Sequence, residues 1–225
     1  INPDEAVAYG AAIEGGMLNN EVSFLLHNIN PLTLGIETIG GLMKEVIPRN
    51  TKIPVKKTRT FSNAEDDDDT VTIQIYEGER PMTRDNHFLG SFDLTGLPPG
   101  PRGTVLFQVQ FEIDQNGMLT VTAEEESSGS KQSLTITASD NRLDDEEMQQ
   151  AIENADNWQD DDEKIRVVIE AKNILDAAIA RAMYKLERNT EITEKQRGEL
   201  EKLLEGEKEW LQDQDDSDAN IIHER

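Results

Sequence analysis

The chain has 225 residues, of which 46 are acidic and 22 are basic, so its formal net charge is −24, and it contains no cysteine. A surface this negative repels a nucleic-acid backbone, and the absence of cysteine excludes disulfides and thiolate metal sites. No apolar run approaches the roughly 18 residues of a membrane-spanning helix. Neither nucleic acid nor a membrane is therefore expected as a partner, and the length predicts one or two folded cores.

A short helix is predicted at the start of the chain, in "NPDEAVAYGAAIEGG". Asn2 is a favourable N-cap, Pro3 suits the first helical position, and the Gly15-Gly16 pair is a typical terminator. The segment is too short to be a domain of its own. We therefore expect residues 1–20 to be the closing helix of a domain that precedes this chain.

An apolar run follows in residues 21–30, where Phe24, Leu25 and Leu26 are succeeded by His27 and Asn28. Segments that connect domains are normally polar, because exposed apolar side chains promote association. This run is either buried or used for binding. We interpret residues 21–30 as an apolar interdomain linker.

The pattern in residues 31–138 changes to alternating apolar and polar positions, which is typical of strands with one buried face. The apolar positions are Leu32, Leu34, Ile36, Val71, Ile73, Ile75, Val109, Phe111, Ile113, Leu134 and Ile136. Asn116-Gly117 indicates a hairpin, since a tight primed turn needs positive φ. The sequence thus predicts an antiparallel β-sandwich of about eight short strands over residues 31–140.

From Leu143 onward the spacing of apolar residues becomes helical. Asp144 is the predicted N-cap of a long helix with Glu147 at the capping-box position, and Thr193 with Gln196 forms the same motif for a second helix. The long helix is expected to place Met148, Ile152, Ala155, Ile165, Val168, Ile169, Ile179, Met183 and Leu186 on its apolar stripe, and the second helix Leu200, Leu203, Leu204 and Leu211. Residues 141–225 are therefore predicted to form a helical subdomain, and the fold class to be mainly β with an added α part.

No catalytic or metal-binding motif is found in the sequence. The three histidines, His27, His87 and His223, are scattered, so we assign no catalytic residue and no metal ligand. The acidic run at residues 65–69 lacks the ligand spacing and the glycine of a calcium loop, and is interpreted as a solvated turn. One of these acids could instead pair with a basic residue of the helical tail. Arg102, the only charged residue of "PPGPRG", is a candidate for a specific ion pair.

Long segments of the chain resemble one protein family. "NPLTLGIETIGGLMKEVIPRNTKIPVKK", "YEGERPMTRDNHFLGSFDLTGLPPGPRG" and "FEIDQNGMLTVTAEE" are similar to the substrate-binding region of the seventy-kilodalton heat-shock chaperones, and "NPDEAVAYGAA" is similar to the last helix of their ATPase domain. "GERPMTRDNHFLGSFDLTG" and "NRL" are most similar to the luminal member of the endoplasmic reticulum. The resemblance implies that compartment, with the cytoplasm as the alternative.

The resemblance implies a β-sandwich that binds extended apolar segments of unfolded polypeptides, closed by a helical lid. The residues that match the family's peptide channel are Ile36, Glu37, Thr38, Ile39, Phe61, Ser62, Ala64, Val71, Ile73 and Phe107. The lid latch corresponds to Asp66, Arg102 and Asp176, and the linker to residues 24–28. No cofactor is expected in this chain. The parent protein would hydrolyse ATP with Mg²⁺ in a preceding domain, and J-domain co-chaperones and nucleotide-exchange factors would be its partners.

Three features depart from the family pattern. His27 and Asn28 stand where most members have an apolar residue and an Asp, so coupling to ATP could differ. Phe107 places a bulky ring at a pocket-lining position, and the acidic run is more acidic than usual, which predicts a preference for peptides with flanking Lys or Arg. A regulatory, co-chaperone-like peptide-binding protein with weakened ATP coupling is therefore the alternative function.

Overall fold

The computed structural model describes residues 5–18, 28–136, 143, 145–188 and 193–213. The first helix, α1, spans Ala6–Leu18. The prediction that it ends at Gly15-Gly16 is wrong. Neither glycine has positive φ, so the left-handed residue that ends a helix is missing here, and the two glycines lie within the helix at a cost of about 1 kcal/mol each relative to Ala.

Eight strands form two antiparallel sheets of four, which confirms the predicted sandwich. The strands are β1 (Leu34–Thr38), β2 (Leu42–Ile47), β3 (Val55–Ser62), β4 (Thr70–Glu77), β5 (His87–Thr95), β6 (Leu106–Ile113), β7 (Leu119–Glu125) and β8 (Ser130–Ile136). The first sheet has the order β2-β1-β4-β5 and the second the order β3-β6-β7-β8. Strands β2 and β3 are therefore edge strands.

The core lies between the two sheets and follows the alternation of the sequence. Leu34, Ile75, Val109 and Phe111 are fully buried, and they belong to one continuous apolar cluster with residues from all but one of the remaining strands. Strands such as "TVTIQIYE" are rich in β-branched and aromatic residues, which pack well on a half-buried pleated surface. The predicted inward-facing positions are therefore those that hold the sandwich together.

The hairpin predicted at Asn116-Gly117 connects β6 and β7, but its turn is not the primed type. Only Gly117 has positive φ, at 80°. Its N–H donates to the carbonyl of Asp114 at 3.2 Å, and the N–H of Asp114 donates to the carbonyl of Met118 at 3.1 Å. The loop is thus a three-residue turn that ends on a left-handed glycine, a common hairpin geometry that places positive φ at Gly117 alone.

Two helices follow the sandwich: α2 spans Asp145–Arg188 and α3 spans Glu194–Asp213. The capping box of α3 is confirmed, since the backbone N–H of Thr193 donates to Gln196 Oε1 at 3.1 Å and the N–H of Gln196 donates to Thr193 Oγ1 at 3.4 Å. Leu211 packs against α2, but Leu203 is 59% exposed. The predicted leucine stripe of α3 is therefore only partly buried, because α2 covers a single side of that helix.

Some predictions concern residues outside the described ranges. These are the N-cap Asn2, the linker residues Phe24, Leu25, Leu26 and His27, and the N-cap Asp144. Asn28 is described, and its carbonyl accepts a hydrogen bond from the backbone N–H of Ile53 at 2.9 Å. Among the described helices, none is long and apolar enough to cross a membrane.

Candidate functional site

A cavity of about 580 Å³ opens at one end of the sandwich, beneath α2. Its walls come from β1, β3, β4 and β6 and from the loops next to them. All ten residues predicted for peptide binding line it, namely Ile36, Glu37, Thr38, Ile39, Phe61, Ser62, Ala64, Val71, Ile73 and Phe107. We call this cavity the channel.

The floor of the channel is apolar and belongs to the sandwich core. Ile36, Ile73 and Phe107 are each no more than 3% exposed, and the rings of Phe61 and Phe107 stack with their centroids 6.3 Å apart. Val71 is half-buried against the same cluster. The bulky Phe107 is thus packed under Phe61, and the floor offers a pre-formed apolar surface to a ligand.

Polar groups shape the rim of the channel. Glu37 and Thr38 are half-buried at the end of β1, and the Glu37 carboxylate accepts a hydrogen bond from Thr83 Oγ1 at 2.8 Å. Ile39, in the turn that follows, is 42% exposed. Apolar walls with a few fixed polar groups are the usual composition of a binding pocket.

Asn63 fixes the loop that carries Ser62 and Ala64, and sequence reasoning missed it. Its side chain is buried, with Nδ2 donating to the carbonyls of Glu65 at 2.6 Å and of Pro101 at 3.1 Å. Its Oδ1 accepts the backbone N–H of Val105 at 3.1 Å. Asn63 therefore joins two loops at the channel rim, and no local pattern in the sequence indicates this role.

Helix α2 covers the channel directly. Asn173 Nδ2 donates to the carbonyl of Ile39 at 2.8 Å, and Ala177 and Ala180 line the cavity. A side chain on Gly40, which has a φ of 83°, would come within 2.7 Å of Ile169. The helix therefore lies close enough to close the channel, and its small residues leave space beneath it.

The predicted latch residues come together at one end of this cover. Arg102 Nη1 forms an ion pair with Asp176 of α2, with side chains that are 20% and 28% exposed. Asp66 contacts a different part of Arg102: its Oδ1 accepts the backbone N–H at 2.7 Å. Asp66 thus positions the loop of Arg102, and only Asp176 bonds the guanidinium.

A second ion pair, between Arg80 and Asp162, holds α2 near its middle. The guanidinium donates from Nη2 to Asp162 Oδ1 at 2.8 Å and from Nε to Oδ2. The ring of Trp158 lies 5.7 Å from the centre of the Arg80 guanidinium. The hydrogen bond with Asp162 raises the pKa of Arg80 further above its usual value. Asp162 is 5% exposed, so this pair is the more buried of the two.

Sequence reasoning did not find Asp162, although its spacing carried a signal. Asp162 and Asp176 are 14 residues apart, which is about four turns and roughly 21 Å along a helix, so both lie on one face. Asn173 lies on the same face. The cover is therefore held at two points about four turns apart, by Arg102–Asp176 beside the channel and by Arg80–Asp162 at a neighbouring cavity.

The acidic run is exposed apart from the half-buried Asp68, as the prediction of a solvated turn requires, and Asp67 adopts a φ of 56°. In the parts of the chain that the structure describes, none of these five acids forms an ion pair with the helical tail, so the alternative is not observed. Within the same ranges, no group of three or more acidic or histidine side chains is arranged to hold a metal ion.

A comparison with known families gives one result for the chain as a whole. The family model described as Hsp70 protein matches residues 1–225. The match covers the sandwich, the channel and the helical cover in a single alignment. The chain therefore belongs to the Hsp70 family of chaperones.

Proposed function

We propose that this chain is the substrate-binding part of an Hsp70 chaperone, and that its channel holds an extended apolar segment of an unfolded polypeptide. The observation that carries the proposal is the channel itself, a cavity of about 580 Å³ with an apolar floor and a helix fastened over it. An extended peptide fits such a site because one side chain can enter the pocket while its backbone runs along the rim.

The composition of the channel favours weak and promiscuous binding. Burial of one Leu side chain between Phe61, Val71 and Ile73 contributes about 1.5–3 kcal/mol, whereas a Kd of 1 μM requires about 8.2 kcal/mol. Backbone hydrogen bonds must supply much of the rest, and they do not depend on sequence. Such a site accepts many apolar segments, as a chaperone requires.

Helix α2 then controls how long a peptide stays. A ligand in the channel cannot leave past α2 while the ion pairs Arg80–Asp162 and Arg102–Asp176 hold the helix in place. Exposed ion pairs contribute less than about 1 kcal/mol and buried ones are harder to break. The cover therefore slows release without preventing it, as a reversible cycle of binding needs.

Substitution of Val71 by Phe tests the channel. A larger ring at this half-buried position fills the pocket, so we expect the affinity for a short Leu-rich peptide to fall at least about tenfold, in line with loss of one buried Leu contact. Fluorescence anisotropy of a labelled peptide measures this effect. Val7→Phe, at an exposed position of α1, makes the same substitution away from the channel and should leave the affinity unchanged.

A second variant tests the pocket even if Val71→Phe misfolds. Val71→Ala enlarges the pocket, and we expect it to weaken Leu binding while sparing a bulkier Phe-containing peptide. Circular dichroism should show the same fold for both variants. Equal affinity of the parent and Val71→Phe for the Leu peptide would contradict the assignment of the channel.

Coupling to ATP is the next part of the proposal. The chain itself is expected to lack ATPase activity, and the parent protein to hydrolyse ATP with Mg²⁺ in its preceding domain, with J-domain proteins and nucleotide-exchange factors as partners. The family membership supports this expectation. Addition of ATP to the parent protein should speed peptide release. An unchanged rate would favour the alternative, a regulatory peptide-binding protein that has lost coupling at His27 and Asn28.

We also propose that the protein works in the lumen of the endoplasmic reticulum. The support is the similarity of "GERPMTRDNHFLGSFDLTG" to the luminal members of the family. Immunofluorescence of the parent protein with a luminal marker tests this. A diffuse cytoplasmic signal would contradict the proposal.

A further inference from the structure

A second cavity, of about 940 Å³, adjoins the channel. The two cavities share Thr38, Thr60, Phe61 and Asn173 as lining residues, so they are adjacent. The second cavity lies beside the edge strands β2 and β3 and beneath α2. It is therefore a side mouth of the channel, through which the flank of a bound peptide would leave. We call it the β2–β3 mouth.

Two cations of the β2–β3 mouth occupy unusual positions, because they lie on the inner faces of their sheets. Lys44 is the cross-strand partner of Ile36, and Arg59 is the partner of the fully buried Val109. Cross-strand partners project to the same face of a sheet. Both cations nevertheless are exposed. They can reach solvent there because each lies on an edge strand, where the sandwich is open.

The remaining charges of the mouth are largely engaged with each other. Arg166 of α2 forms ion pairs with Glu163 at 2.6 Å and with Glu170 at 3.4 Å. Glu45 is the other acid of the lining. Among the described residues, neither Lys44 nor Arg59 forms an ion pair. The mouth thus presents two cations toward the space beside the channel, in a chain whose net charge is −24.

Apolar side chains line the mouth together with these two cations. Leu42, Met43, Phe61 and Pro81 line the mouth from the sandwich side. Ile174 lines it from α2 and is 64% exposed. A ligand that continues out of the channel would therefore meet apolar side chains and the two cations in the same cavity.

We propose that the β2–β3 mouth binds a carboxylate that flanks the apolar core of a client segment, with Lys44 and Arg59 as the specificity-determining residues. The proposal rests on the proposed function of the channel. It predicts that extended apolar segments with Asp or Glu on one flank are among the clients. The overall negative charge of the chain would otherwise disfavour such segments. An exposed ion pair with each cation would account for a moderate effect.

Labelled peptides with one common Leu-rich core test the proposal by fluorescence anisotropy. One peptide has neutral flanks, one has Glu-Glu before the core and one has Glu-Glu after it, so that either direction of binding is sampled. We expect one of the acidic peptides to bind about 3- to 10-fold more tightly to the parent chain than to the variant Lys44→Gln/Arg59→Gln. The difference should shrink at high salt, because exposed charges are screened.

Lys56→Gln/Lys131→Gln is the matched control, since it removes the same charge from exposed residues that pair with Glu112 and Glu124 on the second sheet. We expect it to bind all three peptides as the parent does. The reversed variant Lys44→Glu/Arg59→Glu should weaken binding of that acidic peptide further and leave the neutral peptide unaffected.

The outcomes separate this inference from the proposed function. If the parent binds the neutral peptide but both acidic peptides bind equally to the parent and to Lys44→Gln/Arg59→Gln, the β2–β3 mouth is not a carboxylate site and the channel still stands. If the control variant weakens the acidic peptide as much, the effect is one of net charge and the inference fails. If the neutral peptide does not bind at all, the proposed function and this inference both fall.

Discussion

Asn63 shows how much of the channel depends on one side chain. Its amide is 1% exposed and bonds groups from the loop after β3 and from the loop before β6. A buried polar group of this kind stabilises only when all its partners are in place. Because Ser62 and Ala64 flank it, the rim of the channel is built around a fixed amide instead of a flexible loop.

Glu125 is a second residue whose surroundings set its properties. Its carboxylate accepts hydrogen bonds from the backbone N–H groups of Ser127 at 3.0 Å and Ser128 at 2.6 Å, in the turn between β7 and β8. Hydrogen bonds from the Ser128 side chain, then from its backbone N–H, and then from the backbone N–H of Ser127 lower the pKa of Glu125 to about 2. The ionised form is therefore the one that the fold stabilises.

The pH dependence of stability should report this pKa. Because the pKa is about 2 in the folded chain and about 4.3 when unfolded, the stabilisation is complete above about pH 4.3 and is lost as the pH falls towards 2. We expect Glu125→Gln to be less stable than the parent at pH 7, with the difference vanishing near pH 2. Urea unfolding across this range measures it.

Glu126→Gln serves as the control for this experiment, since Glu126 is exposed and lies next to Glu125. Its stability relative to the parent should not change with pH in the same window. A constant difference between Glu125→Gln and the parent from pH 7 to pH 2 would show that the hydrogen bonds do not depend on the charge.

Sequence reasoning at the scale of residues succeeded where a side chain has one dominant role. Ile36, Val71 and Ile73 alternate along strands, so their inward direction follows from period two. Asn63 and Glu125 could not be predicted in the same way, because their partners depend on how distant loops and turns meet. Asp66 shows the same limit, since its carboxylate bonds the backbone of Arg102 and not its guanidinium.

Helix α2 works as an element with two faces. One face carries Asp162, Asn173 and Asp176 toward the sandwich, and the other packs Val168 and Ala171 against Leu211 of α3. Helix α3 thus packs on the side of α2 that faces away from the sandwich. A helix that is held at Asp162 and Asp176 and packed against α3 can keep the channel covered.

The two ion pairs should contribute unequally to closure. Asp162→Asn leaves the buried Arg80 guanidinium with only a longer 3.9 Å contact to Asp85, whereas the pair of Asp176 is more exposed to water. We expect peptide dissociation to be about tenfold faster in Asp162→Asn and only about twofold faster in Asp176→Asn. Stopped-flow fluorescence of a preformed peptide complex measures both rates.

Asp161→Asn is the control on the same helix, because Asp161 bonds the exposed Lys164 and faces away from Arg80. It should release peptide at the parent rate. Equal dissociation rates in the parent, Asp162→Asn and Asp176→Asn would mean that the helix does not retain the ligand.

Whole elements were predicted well where their signals are local. The capping box of Thr193 and Gln196 depends on residues three apart, and it is present. The end of α1 at Gly15-Gly16 was wrong, because glycine ends a helix only when it adopts positive φ. The exposure of Leu203 could not be predicted, since periodicity shows that a helix has an apolar side but not how much of that side a neighbour covers.

The molecule as a whole has a negative surface, and the β2–β3 mouth is a local basic site on it. The acidic run and the net charge of −24 favour basic peptides by long-range attraction, whereas Lys44 and Arg59 act at contact range at the β2–β3 mouth. The sequence predicted the sandwich, the helical cover and the set of channel residues. It did not predict the second fastening point or this mouth, because both arise from elements far apart in the chain.

The most direct test of the account is to locate a bound peptide by photo-crosslinking. A Leu-rich peptide with one central Leu replaced by a photoreactive phenylalanine should crosslink to the channel floor, at Phe61, Val71 or Phe107, as read by mass spectrometry. An excess of the unlabelled Leu peptide should suppress these crosslinks. Crosslinks that fall instead on exposed apolar residues of α3, such as Leu200 and Leu203, would contradict the claim that the channel is the binding site.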